Sequence, residues 1–512
     1  VLVAFAIFLA AVAVFLLRSD YSAYGFPLDD GWIHRVYARS VAWGHGFEYN
    51  EGEQEAGSTS PLWAIVTAPA HWMEPSGAEK VVLAVKGIGV LLGLVTLLGV
   101  QRVGEALTGS RKAGIVAACM LAAAPRFAFS ALSGMENTLL LAVWVHATYW
   151  FMTKKWLPAF IMVALAPVTR PEAVLLIPLG ALLLVASVRR PDTPRKRFRL
   201  LGLSLLPVVL WCLFCLSVTG HPLPNTFYVK GQPFQISSTL AAEGWRGVTQ
   251  HGYASVPLFL IGGLALLVLI IGRRSRRDAE PAALLFMVAA PLAYLLGVMG
   301  TRTIHLLGYY WTRWIDPAAL VLTVGSCVGY GALMVPGVGA AALFGGKKRK
   351  RLSSRVRKLG WAITGLSAVG LAACLPSLGR SFLERRDQLS SDARAIHLLD
   401  VRAAEWVHAN VPFHASVGVL DAGALRYFGN RRIVDLAGLN SADVAFGRKS
   451  REQLLAEMDW LAVFPGLIPS DVLQDGYAER ARFEIPVEEY TISHNPLQSL
   501  KIIYEKAGRT PG

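Results

Sequence analysis

Two adjacent carboxylates, Asp29 and Asp30, stand in the stretch GFPLDDGWIHRVYARSVAWGHGFEYN, shortly after an apolar run that reaches Leu17. A carboxylate at the start of a helix stays ionised, because the aligned peptide dipoles favour its charge. An ionised carboxylate beside a water–lipid boundary is suited to take a proton from an attacking hydroxyl. His34 follows Asp30 by one helical turn and can face the same site. Cations of the kind that hold a departing phosphate recur further on: Arg170 in TRPE, Lys230 in NTFYVK, and Arg302, His305 and Arg313 in TRTIHLLGYYWTRW. A base with such cations is equipped for displacement of a phosphate from carbon by a hydroxyl.

Each of these residues also has a structural reading. One of Asp29 and Asp30 fits an N-cap for the helix that follows, which leaves the other as base. Asp29 lies further from the helix body and is the preferred base. Arg170 lies in a connection of a few residues beside Pro171, where it fits either phosphate binding or an ion pair with Glu172 or Glu136 that pins helices. Glu136, in SGMEN, fits a favourable charge at a helix start or a contact to substrate. Asn225, Tyr228 and Lys230 fit substrate hydroxyls and phosphate, or an interfacial tyrosine beside a snorkelling lysine. Tyr309, Tyr310, Trp311 and Trp314 read as an interface belt, with Arg313 as a second phosphate ligand.

The elements that must position these residues follow from composition. Of the 512 residues, 54% are apolar and 17% charged, and the mean hydropathy is +0.44, the profile of a polytopic membrane protein. Apolar runs, most of them of roughly 17–25 residues, the length that crosses a bilayer, recur along the chain. About eleven are expected: 1–17, 81–101, 113–129, 138–153, 156–168, 173–188, 200–218, 255–272, 282–299, 317–336 and 359–378. The net charge of +15 is concentrated at 189–199, 273–277 and 347–358, with smaller groups at Lys154/Lys155 and Arg102/Arg111/Lys112. With eleven spans these groups share one side, which the positive-inside rule makes cytoplasmic. The N-terminus is then cytoplasmic, and the polar motifs and everything after 379 are extracytoplasmic, at the outer face of the membrane.

The basic runs lie between spans without interleaved aromatics, which excludes a nucleic-acid surface and points to contact with membrane lipids. All five cysteines fall in apolar segments, and CLFC at 212–215 reads as packing within a span. Neither a metal-ligand spacing nor a Walker loop is present, so no metal and no cofactor is expected. Lys86 reads as the single clear charge deep in a span.

After Asp30, Ile33, Val36, Tyr37 and Val41 recur at helical spacing and predict an amphipathic helix along the membrane surface. Glycines 44, 46, 52 and 57 predict turns, and STSPLW a cap before a second interfacial helix at 61–73. The chain thus divides into a membrane module, 1–378, whose juxtamembrane helices occupy about 25–75, and an α/β domain, 379–512. In that domain AIHLLDVRAAEWVHANV predicts a helix, ASVGVLD, RRIVDLAG and DWLAVFP strands, and AGALRYF a helical turn. Asp421 and Asp435 end their strands and read as caps more than as ligands. The domain is expected to cover the membrane cavity and shape an acceptor site.

The acidic pair after the first span, followed in order by YAR…GHGFEYN-GE…STSPLW, SGMEN, TRPE and NTFYVK, resembles bacterial GT-C glycosyltransferases. Among these it is most similar to arabinofuranosyltransferase-like members that use a polyprenyl-phosphate sugar. VGVLDAGALRYFGNRRIVDLAGLN, at 417–440, resembles their soluble tail. The resemblance covers most of the chain as short blocks whose order carries the signal. It implies a GT-C-like helical fold and inverting transfer of a sugar, such as arabinofuranose, from a polyprenyl-phosphate donor to a glycan, lipid or protein acceptor of the cell envelope. Members of the fold carry a catalytic aspartate in the first outer loop, the position of Asp29 and Asp30. The rival readings are a lipid-linked sugar flippase or transporter, which calls for broken, charged, repeat-related helices, and a non-catalytic assembly partner, which has no need of the acidic pair.

Overall fold

The computed structural model describes residues 1–186, 194–231, 256–272, 280–301, 308–338, 340 and 354–507. The basic runs at 189–193, 273–277 and 347–353, together with Arg302 and His305, lie outside the described residues.

In hydrocarbon a backbone must satisfy its own polar groups, which a helix does within one segment. Among the described residues the apolar segments accordingly fall on helices, 113–129 across a bent pair rather than on one. Five helices among the described residues are long and apolar enough to cross a membrane: Ala78–Thr108, Phe198–Thr219, Pro281–Thr301, Asp316–Leu333 and Ser354–Asn410. Two bent pairs qualify when each is taken together, Leu2–Leu16 with Asp20–Ala42 (117°) and Arg111–Ala122 with Pro125–Leu132 (65°). Pro125, at the first position of its helix, has no N–H to continue the preceding ladder and suits the second bend. Trp156–Thr169, Pro171–Ala186 and Val256–Ile271 are shorter apolar helices.

The first bend sets up the site. α1 (Leu2–Leu16) ends, Ser19 caps α2 (Asp20–Tyr24) by accepting from the Ser22 N–H at 3.2 Å, and α3 (Asp29–Ala42) runs across the end of the bundle. Lys86 donates to the Ser22 carbonyl at 2.5 Å and ties this turn to Ala78–Thr108. α3 is not a surface helix with a wet face. Asp29, Trp32, His34, Arg35, Val36, Tyr37 and Ala38 are all buried, because α3 is packed between Pro61–Ser76 on one side and helix Ala424–Gly429 on the other. Nor does either aspartate cap it: the N-cap is Leu28, and Asp29 and Asp30 are its first two residues.

Gly44, Gly46 and Gly52 have φ of +81°, +78° and +76°, as their predicted turns require. Around Gly52 the chain forms a small hairpin, β1 (Glu48–Asn50) and β2 (Glu53–Gln54). The C-terminal sheet has the order β4-β3-β5-β7-β6. β3 (Ser416–Val419), β4 (Arg432–Asp435) and β5 (Trp460–Val463) are the three expected strands and are parallel. β6 (Tyr477–Glu484) and β7 (Leu500–Lys506) add an antiparallel half that the sequence pattern did not suggest. The sheet docks on α3 and the segment after it: Tyr49 Oη donates to the Ala422 carbonyl at 2.7 Å, and Tyr37 Oη to Asn440 Oδ1 at 2.9 Å.

Lys86 is not the only charge deep among the helices. Arg126 is wholly buried and makes a two-pronged bond to Asp316, Nε to Oδ1 at 3.0 Å and Nη2 to Oδ2 at 2.9 Å. All five cysteines are free, so CLFC is no disulfide.

Candidate active site

The polar motifs converge at the end of the bundle that carries the sheet. There a cavity of about 310 Å³ is lined by Asp30, His34, Glu136, Arg170, Glu172, Lys230 and Arg313, together with Ser58, Thr59 and Asn440. Five chain segments far apart in sequence supply the first seven.

Asp30 Oδ2 lies 2.5 Å from Arg313 Nη2. Burial works against its charge, but Arg313, then Lys230, His34 and Arg170, outweigh it and hold the carboxyl below its ordinary value. Asp30 is therefore ionised at neutral pH. So acidic a carboxylate is a weak base toward a free alcohol. A hydroxyl proton becomes strongly acidic once its oxygen begins to bond to an electron-poor carbon, and a nearby carboxylate then suffices.

The aromatic run seats cations rather than forming a belt. The Arg313 guanidinium lies 4.1 Å from the Tyr310 ring centroid and 5.3 Å from that of Trp314, and Lys230 Nζ is 5.9 Å from both. Tyr309 is fully buried edge-on to Phe129. Among the described residues Lys230 has no carboxylate within ion-pair distance, so its charge is the most available to an anion.

Arg170 makes both expected ion pairs, to Glu136 at 2.6 Å and to Glu172 at 3.5 Å, while lining the cavity. Glu136 reaches His34 Nε2 with its other oxygen at 3.2 Å, and His34 Nδ1 is buried with no hydrogen-bond partner among the described residues. Burial opposes the Glu136 charge, but Arg170 and His34 overcome it and pull its pKa down to about 2. The ordinary value is 4.5, so folding favours the charged form. Its contribution to stability is complete above 4.5 and is lost as pH falls toward 2. The thermal midpoint of the wild type should hold steady from pH 7 to 5 and fall below that. Glu136→Gln should remove part of that acid dependence; an unchanged slope would show that Glu136 is not held this way.

Two expected substrate ligands lie elsewhere. Asn225 is buried and donates to Glu55 Oε1 at 2.8 Å, so it clamps two segments. Tyr228 packs against His221 and Phe446, at centroid distances of 5.4 and 5.1 Å, and is not part of the cavity wall. His305 is outside the described residues.

Asp29 differs sharply from its neighbour. Its Oδ2 accepts from the Gly423 N–H and its Oδ1 from the Ala424 N–H, both at 2.7 Å. Burial and the carboxylates of Asp400 and Asp421 raise its pKa, against the Ala424 amide and Lys501. Both oxygens are thus engaged by N–H groups of the sheet region, so the Asp29 side chain is committed to holding that segment. The expected preference for Asp29 finds no support in this geometry: it caps a helix, but one in the C-terminal sheet region, whereas Asp30 lines both the first cavity and a second one.

A second cavity, of about 240 Å³, lies between α3 and the sheet. Asp29, Asp30, Lys230, Tyr310, Asp421, Tyr490 and Gln498 are among its walls. Asp421 lies 3.2 Å from Lys501, which also pairs with the buried Asp400. Asp435 is a cap as expected, accepting from the Ala437 and Asn440 N–H groups at 2.9 and 2.8 Å. Lys501, Asp400, Asn440, Arg126 and Asp316 were not among the sequence candidates. A lysine inside an apolar strand, and charges within or at the head of apolar runs, were the available signals. Among the described residues no group of three or more His, Cys, Asp or Glu side chains is arranged to hold a metal ion.

The fold of this chain, a helical bundle beneath an α/β sheet, is similar to known structures. ArnT from Cupriavidus metallidurans, solved with undecaprenyl phosphate bound, aligns at a TM-score of 0.58 and 13% identity over 99% of this chain and 98% of ArnT. The oligosaccharyltransferase AglB from Archaeoglobus fulgidus, solved with an inhibitory peptide and a dolichol phosphate, aligns at 0.53 and 12% over 90% of this chain and 69% of AglB. The fold is therefore that of the GT-C glycosyltransferases. In sequence the chain is arabinofuranosyltransferase-like. It is 29% identical over 311 residues to a terminal β-(1→2)-arabinofuranosyltransferase of Mycobacterium tuberculosis, covering 56% of this chain and 48% of the relative. The chain thus spans about half the length of that relative. Residues 387–499 match a family model described as a domain of unknown function, DUF8728.

Proposed function

We propose that this protein is an inverting glycosyltransferase that moves a sugar, arabinofuranose by its likeness to the mycobacterial relative, from a polyprenyl-phosphate donor to a cell-envelope acceptor. One observation carries the reading: Asp30 and Lys230 line both cavities. A single displacement needs donor and acceptor on opposite sides of one carbon, with the base in reach of the attacking oxygen and a cation in reach of the leaving one. In this arrangement the first cavity takes the donor. Lys230 and Arg313 hold its phosphate, and His34, Glu136 and Asn440 face its sugar. The second cavity takes the acceptor. As the acceptor oxygen bonds to the anomeric carbon, the carbon–phosphate oxygen bond breaks, Asp30 receives the hydroxyl proton, and polyprenyl phosphate leaves with the electron pair. Arg170, already matched by two carboxylates, shapes the wall more than it binds phosphate. We assign the reaction to the outer face and residues 379–512 to a separate domain, as the one-sided basic runs and the change of composition suggest.

The test is transfer of radiolabelled arabinofuranose from its polyprenyl phosphate to a glycan acceptor added outside sealed, right-side-out vesicles. Wild-type protein should form product, and Lys230→Met should weaken donor binding by roughly 10- to 100-fold, the worth of one charge-assisted hydrogen bond. Donor binding unaffected by Lys230→Met would remove the phosphate assignment, and no product under any condition would remove the enzyme reading.

A further inference from the structure

We propose that Asp29 is a positioning residue: it locks the loop that lines the acceptor cavity against the first turn of α3, and so sets how an acceptor hydroxyl meets Asp30. The inference rests on the reading of the second cavity as the acceptor site.

Asp29 precedes Asp30 directly, and both belong to the first turn of α3. Its carboxylate grips the Gly423 and Ala424 amides, one per oxygen, at 2.7 Å each. Leu420, Asp421 and Ala422, the residues just before these amides, form part of the wall of the second cavity. The loop is held at further points, since Tyr49 Oη donates to the Ala422 carbonyl at 2.7 Å and Lys501 pairs with Asp421 at 3.2 Å. Asp29 is the one clamp that sits beside the base itself.

Gly423 shows how close the fit is. Its φ of −87° is open to any residue, so its conformation does not call for glycine. The approach does. A Cβ there would overlap the Asp29 carbonyl oxygen and stand 2.7 Å from Asp29 Oδ1 and 2.8 Å from the Ile33 nitrogen. The smallest side chain pushes loop and helix apart. Asp29 thus spends both carboxylate oxygens on the loop, and so fixes the distance between Asp30 and the opposite cavity wall.

Two variants of the full chain test this, with acceptor varied at saturating donor. Asp29→Asn keeps one acceptor oxygen and turns an NH₂ toward the other amide, donor against donor. Gly423→Ala leaves the Asp29 carboxylate in place and forces the loop away from it. Both should raise the KM for acceptor by roughly 10- to 100-fold, the scale of one charge-assisted hydrogen bond, and lower kcat by less than the roughly 10²-fold of a lost base, while donor affinity is unchanged. A fall in kcat of about 10²-fold or more for Asp29→Asn, with KM for acceptor unchanged, would make Asp29 the base and overturn the proposal. Wild-type KM in both variants would overturn it as well. Should Asp29→Asn not fold, Gly423→Ala decides alone: a raised KM for acceptor supports the clamp, and a wild-type value removes it. Asp30→Asn assayed in parallel separates this from the function proposed above, because a normal kcat there would refute Asp30 as base without touching the acceptor-KM result.

Discussion

Asp30→Asn should abolish most turnover while the protein stays folded and binds its donor. Asparagine keeps the shape of the side chain and can still accept a hydrogen bond from Arg313, which lies 2.5 Å from the carboxylate in the wild type. It cannot take a proton. General-base contributions are roughly 10²–10⁴-fold, so kcat should fall by that factor. Donor affinity should hold or rise, because a phosphate no longer competes with a carboxylate for Arg313. The decisive measurement is single-turnover transfer alongside donor binding on the same preparation. Transfer at the wild-type rate would mean that Asp30 is an anchor for Arg313 and nothing more. Loss of donor binding would mean that it organises the phosphate site.

The second large effect is on stability. Arg126 packs against the rings of both Phe129 and Tyr309, at 4.6 and 4.7 Å from their centroids, and satisfies both oxygens of the buried Asp316. Its Nη2 also donates to Thr312 Oγ1 at 2.9 Å. Arg126→Met leaves Asp316 charged and poorly compensated in an apolar interior. Removing one partner of a buried pair costs about 3–5 kcal/mol, whereas removing both is far less damaging. The unfolding midpoint in detergent should drop sharply for Arg126→Met and recover in part on adding Asp316→Leu. Thr312 and Asp316 flank Arg313, so donor affinity should weaken in both variants even where the fold is restored. A single variant as stable as the wild type would show that the pair is not needed to hold these helices.

Much of this architecture was written in local patterns. Apolar runs located the helices, positive-φ glycines the turns, and β-branched stretches the parallel strands, because each of these depends on neighbours in sequence. β6 escaped notice because it is mostly exposed and reads YAERARFE, with charge where an apolar face is the usual signal. The membership of the site was legible for residues in short polar motifs between spans, namely Asp30, His34, Glu136, Arg170, Lys230 and Arg313. The roles of Asp29 and Asp30 were not. Adjacent residues of one type are distinguished only by what the fold brings against them, and Gly423 lies 394 positions from Asp29. The same holds for Asn225 and Tyr228, whose partners Glu55 and Phe446 decide that they hold segments together.

The small hairpin after α3 has a bearing on how the chain matures. β4 is an outer strand of the sheet, and such a strand offers unpaired backbone groups to any passing chain. Here the carboxamide of Asn50 answers Ile433 as a neighbouring strand does: its Nδ2 donates to the Ile433 carbonyl and its Oδ1 accepts from the Ile433 N–H, both at 3.0 Å. Arg432 adds an ion pair to Glu53 at 3.0 Å. Residue 50 leaves the ribosome long before residue 433. The segment that covers this edge is therefore already synthesised when the sheet emerges, and β4 is closed by a stretch of its own chain made hundreds of residues earlier.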